Sequence, residues 1–237
     1  MFLHNSHASN AGHRRITIKS SDTYVEVLAC YHQRSIAAEL TIISGTKNRS
    51  RLVSVPKMCD QLGEEICRVL PGLHALTGCD TVSTFVGRGK KKALGMLKES
   101  DVMRQKVRAL GETVPPRQDD LTGLEHFVCA LYGDKGSLSV NQTRYMFCKS
   151  QSLQSHQLPP TESALLHHLK RANYQTYIWK NALQATVPIQ EPEGEGWKVT
   201  DGHLEFVWTI FPLHLRVLWN FFAVAAREHV RPDVALV

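Results

Sequence analysis

Residues 70–97 read LPGLHALTGCDTVSTFVGRGKKKALGML. Leu70 to Thr77 is apolar at helical spacing, Gly78-Cys79-Asp80 interrupts it, and Gly87-Arg88-Gly89-Lys90-Lys91-Lys92 leads into an amphipathic run. The pattern predicts helix, glycine-rich turn, helix over residues 70–100. Two glycines permit a tight turn, and the amides that open the second helix can meet a backbone phosphate, with the lysines adding charge. A solvated basic helix start fits the same residues equally well.

Upstream of this stretch the pattern changes. Arg15 to Lys19 (RITIK) alternates polar and apolar residues, as a half-buried strand does. Val25 to Cys30, Glu39 to Ser44 and Arg51 to Val55 repeat strand-like patterns, with a basic turn at Gly45 to Ser50. Pro56 opens a predicted helix to about Val69, since proline suits a first helical turn. Strands followed by helices indicate an α/β layer architecture.

Downstream, Val114-Pro115-Pro116-Arg117 breaks the chain. Helices are predicted over Leu121 to Tyr132, over Val140 to Lys149, and from a Thr161 cap to about Ala185. An acidic loop, Glu191 to Gly196, precedes a predicted hairpin over Gly196 to Thr209. Asp201-Gly202 is a strong two-residue hairpin signal between alternating flanks.

At 237 residues and 43% hydrophobic, the chain has material for one sizeable core. With 21% charged residues, most of it should fold. A net charge of +6 permits a nucleic-acid partner without establishing one. The six cysteines form no CxxC pair, which suits buried thiols better than zinc ligation. Met1-Phe2-Leu3-His4 lacks the pattern of a signal peptide, and no apolar run approaches the ~20 residues of a membrane span. The expectation is a nuclear or cytoplasmic protein, not secreted and not in a membrane.

Two carboxylates merit a functional reading. Asp22 opens the predicted strand at Val25, and Asp80 follows Gly78-Cys79. For Asp22 the simpler reading is a turn aspartate capping its own backbone.

The combination of Gly78-Cys79-Asp80, a spacer, the Gly87 to Lys91 turn and a helix resembles the flap-endonuclease and XPG-type nucleases. It resembles still more a family of largely uncharacterised, often multicopy animal proteins with a PIN-like domain. Leu70-Pro71, His74 to Thr81, Leu158 to Thr161, Lys170 to Gln175, Trp179, Gly196-Trp197 and Trp208 carry that resemblance, which spans residues 1 to about 209. It implies an α/β fold: a PIN-like parallel-sheet, three-layer half-domain over residues 1–112. A helical extension over 113–185 and an acidic loop with hairpin over 186–209 follow.

By the resemblance, Asp22 and Asp80 fall on positions that ligate Mg²⁺ or Mn²⁺. Gly87, Arg88, Gly89, Lys90, Lys91 and Lys92 form a nucleic-acid-binding turn, with DNA or RNA held through its phosphates. Two departures cut against activity. The family's second aspartate, two residues after Asp22, is Tyr24, and the family's upstream acidic segment and first strand have no counterpart here. Period-two alternation puts Glu26 on the same strand face as a weak substitute, with a structural role favoured.

The implied function is a divergent, nucleic-acid-associated PIN-like protein of mobile-element type, with an incomplete metal centre and little or no nuclease activity. The rivals are an active Mg²⁺-dependent nuclease, a protein-interaction scaffold and a non-functional gene fragment. The tail over 210–237 departs from the family's Pro-rich, then Cys-rich end. It reads either as a shifted frame or as an apolar helix over Leu213 to Ala226.

Overall fold

The computed structural model describes residues 1–45, 50–189 and 191–209. The tail reading and most of the Gly45 to Ser50 turn lie outside the described residues. The fold is mixed α/β. After helix α1 (Phe2–Asn10) come strand β1 (Arg15–Lys19), helix α2 (Thr23–His32), β2 (Glu39–Ser44) and β3 (Arg51–Ser54). These strands form one sheet in the order β1-β2-β3. β2 runs parallel to β1, and β3 runs antiparallel to β2. The parallel expectation therefore holds for the first pair and fails for the second. The short Gly45 to Ser50 connection is the reason, because a parallel pair needs a crossover of a dozen or more residues.

The predicted strand over Val25 to Cys30 is instead the middle of α2. Val25, Leu28, Ala29 and His32 are all buried, a spacing of three and four residues that one helical face satisfies and a strand does not. The β-branched start of VEVLAC favoured the strand reading, and burial against the rest of the fold overrides that propensity. Asp22 is the residue preceding this helix, with extended backbone; its side chain makes no capping hydrogen bond, and its amide donates to Ser20 Oγ at 3.2 Å.

The helix expected from Pro56 to Val69 divides at Gly63 (φ +80°) into α3 (Val55–Leu62) and α4 (Glu64–Leu76). α4 is the central element. From Cys67 on, all its residues except Arg68 are buried, and it packs against α2, α3, α5 (Lys90–Glu99), α6 (Asp101–Arg108) and α9 (Glu162–Lys180). α7 (Gln118–Tyr132) and α8 (Val140–Lys149) form where the apolar spacing predicts them.

Thr161 caps α9 as expected, its hydroxyl accepting from the Ala164 amide at 3.3 Å. The helix ends at Lys180, short of the predicted Ala185, in a run of turns. Strands β4 (Trp197–Thr200) and β5 (His203–Phe206) form the predicted hairpin, and both Asp201 and Gly202 take the positive φ that a tight primed turn requires.

One continuous cluster of buried apolar residues runs from Phe2 to Ala172. The cluster includes residues on both sides of residue 112. α9, from the helical extension, lies along α4 and also meets α2 and α7.

Candidate functional site: an aromatic cleft beside a basic turn

The cleft sits where α2 begins, α4 ends and α9 ends. It has a volume of about 230 Å³ and is lined by Tyr24, His74, Cys79, Asp80, Thr81, Gln175 and Trp179. Tyr24 lies two residues past Asp22, at the first turn of α2. Gln175 and Trp179 are one turn apart on α9 and so share a face. The Tyr24 and Trp179 rings are parallel within 3°, with centroids 6.2 Å apart. The His74 ring lies 5.6 Å from Trp179 at a tilt of 60°.

Asp80 is held at the mouth of the cleft by a shaped turn. Gly78 adopts φ +111°, and a Cβ there would fall 2.3 Å from Thr84 Cγ2, so only glycine fits. Cys79 and Val82 exchange backbone hydrogen bonds of 3.0 and 3.2 Å, closing the loop around Asp80 and Thr81. Thr81 donates to Gln175 Oε1 at 2.7 Å, which fixes the amide and leaves its NH₂ group as a donor.

Burial pushes the His74 pKa down to about 4. The Lys90 ammonium pushes the same way, and the Asp80 carboxylate opposes them. At neutral pH His74 is therefore uncharged. The wall of the cleft is aromatic, with an anionic carboxylate, an amide and a neutral imidazole at hand.

The basic turn next to it differs from its sequence reading. Lys90 is turned inward, where its ammonium donates to Gly78 O at 2.6 Å and so braces the Asp80 loop. The Arg88 guanidinium lies over the Tyr132 ring at 5.0 Å, and its Nε is buried. Gly87 takes φ +69°, whereas Gly89, the residue before α5, has an ordinary extended backbone. Lys91 and Lys92 are the exposed cations of the run. Of the three lysines named for the nucleic-acid-binding turn, Lys90 is committed to the fold and the other two are exposed.

Asp22 is exposed and is not among the residues lining the cleft. Glu26 pairs with Arg51 through both oxygens, at 2.9 and 3.1 Å. The strand alternation that put Asp22, Tyr24 and Glu26 on one face does not apply in a helix. Among the described residues, no three His, Cys, Asp or Glu side chains are grouped so as to hold a metal ion.

The sequence named His74, Gln175 and Trp179 only as carriers of a resemblance. The available signal for the last two was their four-residue spacing on a long helix. The rest of Lys170 to Gln175 is structural. Arg171 reaches the hairpin, donating to Gly196 O and Val207 O at 2.9 and 2.8 Å. Asn173 accepts from the Gly111 amide and donates to Thr113 O, each at 2.8 Å.

Comparison with known proteins gives no match to a family model, to a curated protein or to a solved structure. Among the described residues, no helix is long and apolar enough to cross a membrane.

Proposed function

We propose that this chain binds single-stranded nucleic acid without cutting it, as a divergent PIN-like protein whose parallel β1–β2 pair belongs to a reduced three-layer half-domain. The observation that carries this reading is Tyr24. By resemblance it stands where a second metal-binding aspartate belongs, and it lies parallel to Trp179 in the same cleft as Asp80. A phenol is a poor substitute for an anionic Mg²⁺ ligand. A lone carboxylate neutralises too little charge to hold two divalent ions at a phosphate. Aromatic side chains beside a polar rim suit a base, which stacks on any π-face. Lys91 and Lys92 next to the cleft suit the phosphates that flank such a base.

Mg²⁺ or Mn²⁺ should give no cleavage of flap or single-stranded DNA. Cleavage that disappears in Asp80→Ala would overturn the reading in favour of the active nuclease. For binding, the double variant Lys91→Ala/Lys92→Ala should lower affinity on all sequences alike and flatten the salt dependence by up to ~2 units. The charge-matched control Lys57→Ala/Lys149→Ala, at exposed sites on α3 and α8, should change binding less. Equal losses would mean that the net charge acts diffusely and that the turn is not a dedicated contact.

The scaffold reading has one observation in its favour. Val199, Leu204, Phe206 and Trp208 are exposed apolar side chains on and just after the hairpin. Absence of nucleic-acid binding at low salt would transfer the proposal to that surface.

A further inference from the structure

The loop that carries Asp80 is held at several points. Gly78 is wedged against Thr84, Cys79 and Val82 exchange backbone hydrogen bonds, and Lys90 donates to Gly78 O at 2.6 Å. The Asp80 side chain itself is exposed at the cleft, and among the described residues it has no hydrogen-bond or ion-pair partner. A carboxylate on a braced loop is thus left with both oxygens open to a ligand.

Gln175 supplies the complement. The Thr81 hydroxyl occupies Gln175 Oε1 at 2.7 Å, so the NH₂ group is what Gln175 has left to offer. Asp80 and Thr81 are consecutive, so this bond brings the carboxylate and the amide to one rim of the cleft. The rim presents two adjacent acceptors and one donor. At about 230 Å³ the cleft lies below the ~300–1,000 Å³ of pockets that enclose drug-sized ligands, a size that suits a single base.

The bases differ in what they show such a rim. Guanine carries two neighbouring donors on its Watson–Crick edge, N1–H and N2–H₂, and beside them the acceptor O6. Adenine and cytosine each set an amino donor next to a ring nitrogen whose lone pair would face the second carboxylate oxygen. Thymine and uracil have a single N–H between two carbonyl oxygens. Guanine alone matches two acceptors followed by a donor.

We propose that the cleft selects guanine among the bases. Asp80 accepts from N1–H and N2–H₂ with its two oxygens, the Gln175 NH₂ group donates to O6, and the ring lies against the aromatic wall of Tyr24 and Trp179. This rests on the reading that the cleft receives a base. The two bonds to the carboxylate are parallel and charge-assisted, which makes them stronger and more directional than neutral ones. Any other base sets a carboxylate oxygen against a lone pair or leaves it unmet. Stacking gives affinity to every base, and the rim decides among them.

The test uses strands of equal length, abasic throughout except for one central base, with binding to the full chain read by fluorescence anisotropy. The central base is guanine, hypoxanthine, adenine, cytosine or thymine. Guanine should bind about 10-fold more tightly than adenine, cytosine or thymine, the discrimination expected of one bidentate contact. Hypoxanthine, which is guanine without N2–H₂, should fall between guanine and adenine. In Asp80→Asn the preference for guanine over adenine should vanish or invert, because the carboxamide sets an NH₂ group against the guanine donors. The ratio of the two strands cancels the change in net charge, which acts on their phosphates alike. Equal tightening by every base over a wholly abasic strand would overturn guanine selection and leave base binding standing. No tightening by any base would overturn both. A guanine preference that survives in Asp80→Asn would overturn the role given to the carboxylate.

Discussion

Arg171→Ala should cost about 3 kcal/mol of stability, with the hairpin amides losing hydrogen-exchange protection first. Arg171 is 1% exposed, the largest fully buried side chain among the described residues. One of its nitrogens serves both Gly196 O and Val207 O. Its guanidinium lies 5.4 Å from the Phe206 ring and 5.6 Å from the Trp208 ring. Truncation takes the Arg171 donor from Val207 O and one of two donors from Gly196 O, which keeps the Val207 amide at 2.9 Å, and it opens space under the hairpin. The loss therefore exceeds that of one surface contact. Gly196 permits this contact. It holds φ +90°, and a Cβ would lie 2.6 Å from Arg171 Cγ and from His167 O. An unchanged urea midpoint in Arg171→Ala would show that β4 and β5 are held by something else.

The second large effect is a loss of stability in mild acid. His168 is buried on α9, its Nε2 bonded to Leu76 O at 2.8 Å and its Nδ1 to Ser83 Oγ at 3.0 Å. The carbonyl needs a donor, so Nε2 carries the proton and Nδ1 accepts from the hydroxyl. Burial, reinforced by Arg171, brings its pKa down to about 4, and the bond to Leu76 O opposes this. Burial lowers His74 to about 4 as well, and lowers His32, whose Nε2 bonds Trp179 O at 2.9 Å.

In the unfolded chain a histidine titrates near 6.5. Between about pH 6.5 and pH 4 the unfolded state therefore binds more protons, and stability falls as pH falls. His168 alone accounts for roughly 3 kcal/mol across that window. Urea midpoints measured at steps from pH 7 to pH 4.5 should fall steadily. The slope should be shallower in His168→Gln. A flat profile would mean that these rings are protonated or solvated in the fold.

These three histidines share one seam. His32 joins α2 to the end of α9, His74 brings α4 to Trp179, and His168 joins α9 back to α4. The seam underlies the cleft, so acid should also disturb the site.

Much of the helical part was legible. The Thr161 cap, the apolar spacing of α7 and α8 and the Asp201-Gly202 turn are local signals, and each is read from a few neighbouring residues. α2 was misread because its Val-rich start speaks for a strand. The evidence for a helix lies in which residues are buried, and that depends on contacts with α4 far along the chain. β3 was misjudged for a related reason, since strand direction follows from connection length and not from the strand's own residues.

The site was legible in part. Asp80 and the glycine turn are visible as a motif. That Lys90 turns back to Gly78 O depends on the folded loop, which no spacing rule reports. Tyr24 was noted only as a missing carboxylate. Its partner Trp179 is 155 residues away, and their parallel arrangement exists only after α9 docks on α4.

The central claim is that the cleft between Tyr24 and Trp179 receives a base while the neighbouring lysines meet phosphates. Its most direct test is fluorescence anisotropy with two labelled single strands of equal length, one ordinary and one abasic throughout. Both present the same phosphates, so the comparison isolates the bases. The ordinary strand should bind about 10-fold more tightly, in keeping with roughly 1–3 kcal/mol for each stacked base. Trp179→Leu should remove that difference. Equal affinity of the unaltered chain for both strands would contradict the account.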